Sequence, residues 1–245
     1  MTAEGIAAAL LVFFLAASIK GVTGLGFSTV ALPLLAIFLE PRTAVPLAIL
    51  PSLSSNVMVM VQAGGFGAAL RRFWPLYLAA LPGLAIGVQA LRADDASLSR
   101  GALGIVLVLY AGWALRTRAL RIPEALERTL RIPVGFLTGL VNGATGSQVM
   151  PVLPYMLSLG LGKDALVQST NISFTLSSLL MLSLLGGFGL VSWTIVAVGV
   201  AGVVPVALGI RLGGAVRGRL PESTFRTAVL LFLMLLGLGL ASTFL

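Results

Sequence analysis

Residues 20–35 read Lys-Gly-Val-Thr-Gly-Leu-Gly-Phe-Ser-Thr-Val-Ala-Leu-Pro-Leu-Leu. They lie inside an apolar run, 5–39, which as one helix would measure about 50 Å at 1.5 Å per residue, against a hydrocarbon core about 30 Å thick. A glycine costs a helix interior about 1 kcal/mol and a proline about 3 kcal/mol. Lys20, Gly21, Gly24 and Gly26, followed by Pro33, therefore predict a break that divides the run into two half-length helices. A second over-long run, 132–160, carries Asn142, Gly143, Gly146 and Gln148 and then Pro151 and Pro154, and predicts the same. Backbone freed by a break at membrane depth is tolerated only where it is buried in protein or lines a cavity.

The rest of the chain sets that reading in lipid. Of 245 residues 58% are hydrophobic and only 10% charged, and the mean hydropathy is +1.06. A soluble domain carries roughly 25% charged residues, so this composition excludes a cytosolic enzyme, a disulfide-stapled secreted domain and a disordered tail. Charge-poor runs at 44–63, 73–91, 98–115, 165–185, 189–210 and 223–244 each suit a membrane crossing. The start, Met-Thr-Ala-Glu, lacks the positive patch of a signal peptide, so the first run is expected to be retained. The formal charge of +8 reads as topology rather than as a nucleic-acid surface, because the arginines sit in short gaps between apolar runs.

The chain also repeats itself. Gly21-Val-Thr-Gly24 precedes Gly143-Ala-Thr-Gly146 by 122 residues, and at the same offset Gly64-Gly-Phe-Gly67 falls on an identical Gly186-Gly-Phe-Gly189 and Gly87 on Gly209. We read a first transmembrane repeat over 1–117, a basic cytoplasmic linker over 118–131 and a second repeat over 132–245. If every run crossed once, the basic residues would divide seven against eight, which gives no orientation. If each broken run is a re-entrant hairpin, twelve share one side and only Arg42, Arg92 and Arg100 the other, with Lys20 at a hairpin tip. That asymmetry is the positive-inside bias. The expected fold is all-α and polytopic: two inverted repeats, each a broken helix pair followed by three transmembrane helices, with both termini outside the cytoplasm.

Inverted repeats with discontinuous helices are a transporter architecture whose site lies near the midplane, where half-helix ends converge. Unpaired N–H groups and the dipole at a helix start favour an anion, and glycine lets a ligand approach the backbone closely. The expected binding residues are Lys20, Gly21, Thr23, Gly24 and Gly26 at the first break, and Asn142, Gly143, Thr145, Gly146, Ser147 and Gln148 at the second. Lys20 is the only charge inside either broken segment, and an intramembrane cation is costly and usually functional. The alternative is a break at the surface, with Lys20 snorkelling to headgroups. Of the polar stripes after each break, Asn56, Gln168 and Asn171 read as pathway-lining, and the serines and threonines as interhelical hydrogen-bond glue. The pairs Gly199/Gly202 and Gly237/Gly239 read as helix packing.

The chain has no Cys and no His, and every carboxylate falls at a run end or in a loop. This leaves no obvious mid-membrane proton carrier, no metal site, no catalytic constellation and no cofactor-binding motif. The sequence leaves homo-oligomer formation open.

The segments Gly21-Val-Thr-Gly-Leu-Gly-Phe-Ser-Thr-Val-Ala-Leu-Pro-Leu-Leu35 and Gly143-Ala-Thr-Gly-Ser-Gln-Val-Met-Pro-Val-Leu-Pro154 resemble the sulfite exporter TauE/SafE family, also called 4-toluene sulfonate uptake permeases. That family has a Gly-rich stretch running into a Val-Pro-x-Leu-like segment once per half; here Ser147 and Gln148 stand where further glycine is common. The resemblance implies a bacterial inner-membrane carrier, not an enzyme, for small sulfur-containing anions such as sulfite, thiosulfate, sulfoacetate or organosulfonates. The residues alone support a small anion and a midplane site. A non-transporting membrane scaffold, or a subunit of a larger complex, is the alternative.

Overall fold

A computed structural model describes residues 1–242 apart from Leu25, 93–95, 117–120 and 217–221. Among the described residues the chain is helical, with no strand: α1 Ala3–Thr23, α2 Phe27–Leu35, α3 Pro41–Ala63, α4 Phe66–Arg92, α5 Ala96–Arg116, α6 Glu124–Thr145, α7 Val152–Ser158, α8 Lys163–Gly187, α9 Trp193–Ala201, α10 Val203–Val216 and α11 Glu222–Ala241. Six described helical segments are long and apolar enough to cross a membrane: α1, α3, α4, α5, α8 and the joined stretch Trp193–Ala215. That last stretch is jointed at Gly202, where Pro205 has no N–H to give the carbonyl of Ala201. Of the linker expected over 118–131, residues 118–120 lie outside the described residues, and from Glu124 onward the chain is already α6.

Both expected breaks are present, but their arms are unequal. The arms before the breaks, α1 and α6, have 21 and 22 residues, and the arms after them, α2 and α7, only 9 and 7. In α1 no glycine or proline lies between Gly5 and Gly21, and α6 starts at Glu124, ahead of its apolar run, and continues through Pro133 to its cap at Gly146. Each long arm therefore grows to full length, and only the returning arm is short.

Helix pairing follows close backbone approach. A Cβ on Gly135, Gly139 or Gly143 of α6 would strike the carbonyls of Leu76, Ala80 and Leu84 on α4, so these two helices run in the same direction. Likewise Gly209 of α10 lies against Phe14 and Ser18 of α1, and Gly213 against Ser18 and Gly21, again parallel. Gly104 of α5 meets Gly237 and Ala241 of α11, and Gly237 meets Gly104 and Leu107, which makes that pair antiparallel. Small residues allow such approaches in lipid, where dispersion rather than water exclusion drives packing. Of the glycines assigned to packing, Gly199, Gly202 and Gly237 are tightly packed, whereas Gly239 faces open space.

At the offset of 122, α6 is the counterpart of α1, α8 of α3, α9–α10 of α4 and α11 of α5. The pairs α1·α10 and α4·α6 therefore exchange, and α3·α8 and α5·α11 map onto themselves. At the end of the α4·α6 pair Glu127 accepts two hydrogen bonds from Arg72, at 2.9 and 2.7 Å, and one from Arg131 at 2.6 Å. Both guanidinium groups lie over the Phe73 ring, and the Tyr155 hydroxyl of α7 donates to the Glu127 carbonyl at 2.8 Å.

Candidate anion site between the two helix breaks

The two breaks are built alike. Gly24 closes α1 in the left-handed region, φ 80°, with its N–H on the Lys20 carbonyl at 2.6 Å; Gly146 closes α6 at φ 73°, with its N–H on the Asn142 carbonyl at 2.7 Å. Thr23 and Thr145 each turn the hydroxyl back onto their own helix, to Ile19 O at 3.0 Å and Val141 O at 2.7 Å. Gly26, at φ 91°, then starts α2.

Lys20 occupies the last turn of α1 and is 1% exposed. Its Nζ donates to Ser55 Oγ at 3.0 Å and to Asn56 Oδ1, both on α3. The side chain thus turns into the bundle instead of snorkelling outward. Asn56 stands about one turn beyond the middle of α3, so the break after Lys20 opens inside the height of the bundle. Around Lys20 lies a cavity of about 10 Å³, room for roughly one water, lined also by Gly26, Ser28, Thr29, Asn56 and Gln148. Thr29 Oγ1 and Asn56 Nδ2 are buried there without a protein partner. Polar groups thus converge on this cavity: Lys20 Nζ, the Asn56 amide, the Thr29 hydroxyl and the first amides of α2.

A second cavity, also about 10 Å³, is lined by Asn142, Gly146 and Ser178 and shares Ser28, Ser52 and Gln148 with the first. Ser28 and Ser52 are hydrogen-bonded at 3.2 Å, and Gln148 Nε2 donates to Ser178 Oγ at 2.8 Å and Phe174 O at 3.4 Å. The polar ends of the two breaks meet through these side chains. Asn142 Nδ2 and Ser147 Oγ are buried without partners. The breaks differ in charge: Lys20 at the first corresponds to Asn142 at the second.

Other expected site residues have different duties. A Cβ on Gly21 would lie 2.5 Å from Ile210 O and one on Gly143 2.5 Å from Leu84 O, so the lost side chain makes room for a neighbouring helix rather than for a ligand. Gln168, with its amide oriented to satisfy both ends, donates to Met60 O at 2.9 Å and Gly64 O at 3.2 Å and caps α3. Asn171 Nδ2 bonds Val167 O at 2.8 Å and Gly24 O at 3.5 Å, which steadies the first break. Several serines and threonines bond carbonyls of their own helix, as Ser54, Ser55, Thr170 and Thr175 do, and provide less glue between helices than expected. Thr29 and Ser28 were not singled out in the sequence, although their place in the turn that follows Gly26 is a usable signal.

A vestibule of about 440 Å³ lies beyond the first break, walled by α5, α7, α11 and the start of α8. Thr23 and Lys163 line it, and Gly26 and Thr29 line both it and the Lys20 cavity. Both breaks are packed by an equivalent valine: a Cβ on Gly24 would meet Val167 at 3.0 Å, and one on Gly146 would meet Val45 at 2.8 Å and also Leu32 at 2.9 Å.

Neither the curated proteins nor the solved structures contain a match to this chain. A family model does match, the sulfite exporter TauE/SafE model, over residues 9–240. A match over nearly the whole length, to a chain of apolar helices with two glycine-closed breaks, decides the assignment: this protein is a multi-pass membrane protein of the sulfite exporter TauE/SafE transporter family.

Proposed function

We propose that this chain is an inner-membrane secondary transporter or facilitator of a small sulfur-containing anion, such as sulfite, thiosulfate, sulfoacetate or an organosulfonate. The anion binds near the midplane between the two breaks. The observation that carries this reading is the convergence of Lys20, Asn56 Nδ2, Thr29 Oγ1 and the α2 N-terminus on one cavity, with no carboxylate among its lining residues. A basic amine and several spare donors in a water-poor site favour a negatively charged oxygen cluster.

The halves act as inverted repeats. This is supported by the exchange of the α1·α10 and α4·α6 pairs and by the opposite directions of α3 and α8, where Gln168 meets the end of α3 while Ser178 and Met181 lie beside Ile49 and Ser52. Following those directions, Arg71, Arg72, Arg116, Arg121, Arg128, Arg131, Lys163 and Arg211 gather at the end of the bundle that carries the vestibule, and Arg42 and Arg100 at the other. The positive-inside rule makes the vestibule cytoplasmic and both termini periplasmic. The vestibule beside the first break, and the Leu32 contact that Gly146 has and Gly24 lacks, support reading this arrangement as one state in an alternating-access cycle.

Purified protein in lipid vesicles should take up labelled sulfite or thiosulfate without any partner protein. Replacing Lys20 with Gln or Met should reduce uptake while the protein still folds. Wild-type uptake in the K20Q and K20M variants would remove Lys20 from the site, and absence of flux for every sulfur anion would favour a scaffold.

A further inference from the structure

Lys20 presents a counting problem. Its amine faces two neutral acceptors, Ser55 Oγ and Asn56 Oδ1. A neutral amine has two N–H groups and one lone pair, whereas an ammonium has three N–H groups. Two acceptors satisfy the neutral form completely and leave its lone pair for the cavity. The ammonium has a third N–H with no protein acceptor and a charge with no counter-ion.

The surroundings supply no compensating charge. The elements packed on α1 are α2, α3, α9 and α10. α2 and α9 contain no ionisable side chain. Arg42 of α3 is near the opposite end, bonded to Leu91 O; Arg211 of α10 is exposed; Glu4 lies in the first turn of α1. Among the described residues no ion pair involves Lys20. An uncompensated ion in such a site is strongly unfavourable, and an arriving anion would offset that penalty.

We propose that Lys20 is the proton carrier of this transporter, and that the anion and one proton are taken up together. This rests on the anion-binding reading above. Without an anion the amine is neutral, and both its N–H groups are used. A proton from the vestibule, which reaches the cavity beside Gly26 and Thr29, adds to the Nζ lone pair as the anion arrives. The new third N–H donates to the anion. When the anion leaves, the cation again lacks a counter-charge, and the proton follows. No bond within the anion changes, and the net movement is one proton per anion.

The test uses the full chain in vesicles that enclose a pH-sensitive dye, with an inward thiosulfate gradient and equal pH on both sides. Thiosulfate carries no proton at neutral pH, so acidification reports the carrier. Wild type should acidify the lumen by one proton for each thiosulfate taken up. The K20R variant keeps a charge that cannot leave, and its acidification per thiosulfate should fall by at least about tenfold. Thiosulfate uptake without acidification overturns the proposal, and so does a K20R variant that still couples. The wild-type stoichiometry decides even if K20R fails to fold. If neither thiosulfate nor sulfite, sulfoacetate or an organosulfonate enters or raises the melting temperature of wild type, the transport reading fails, and this inference fails with it.

Discussion

Glu127→Gln isolates the ion cluster that Glu127, Arg72 and Arg131 form among the described residues. Glu127 has a side chain 5% exposed and bridges Arg72 and Arg131, whose side chains are 45% and 17% exposed. Removing one partner of a buried pair costs about 3–5 kcal/mol. The bond to half-exposed Arg72 is screened toward the surface value of about 0–1 kcal/mol. A glutamine retains neutral hydrogen bonds in the same geometry, so we expect a loss of about 2 kcal/mol. In a domain of this size that is about 4–8 °C in melting temperature, measured by tryptophan fluorescence in detergent at pH 7. The pH dependence has a definite sign. The Arg72 guanidinium, and after it Arg131, hold the Glu127 carboxyl below the usual carboxylate range. Its stabilisation is therefore fully present above the unfolded-state value of 4.5 and is lost as pH falls through the lower folded value. Wild type and variant should converge in acid. A variant melting within about 1 °C of wild type at pH 7 would refute the view that this cluster clamps α4 to α6.

Three further outcomes are expected. Thr29→Val removes a buried hydroxyl with no protein partner, so the melting temperature should hold or rise while thiosulfate or sulfite affinity drops about tenfold in a thermal-shift titration. Gly26→Ala has space for its Cβ but places it at φ 91°, so the protein should lose about 1–2 kcal/mol of stability and bind the anion more weakly as the start of α2 shifts. Gly139→Leu drives a side chain into the Ala80 carbonyl and should destabilise by about 1–3 kcal/mol or more, seen as loss of monodisperse protein on size exclusion; Gly112→Leu, facing open space, serves as the control.

Much of the architecture is legible in one dimension because lipid makes crude demands. Run length and the positions of Gly and Pro report spans and breaks without knowledge of any contact. The duplication is legible for the same reason, since Gly24 and Gly146 must each adopt a left-handed cap that few other residues tolerate. Lys20 stands out as a lone charge in an apolar run. The fate of the other polar and small residues is not readable in this way. Gly21 and Gly24 are three residues apart in one motif, yet one opens room for α10 and the other ends a helix. Gln168 and Gln148 are both buried amides, yet one caps α3 and the other joins the two breaks.

What the amino-acid order determined alone is a helical membrane protein with two related, interrupted stretches and a lysine inside one of them. Only the folded chain decided which acceptors face that lysine, that Ser28, Ser52 and Gln148 bring the two breaks together, and that the vestibule opens beside the first break. The physical reason is that periodicity and transfer energy are local properties of a segment. Which hydroxyl or amide goes unpaired depends on which helix packs against it, and that is a property of the whole bundle.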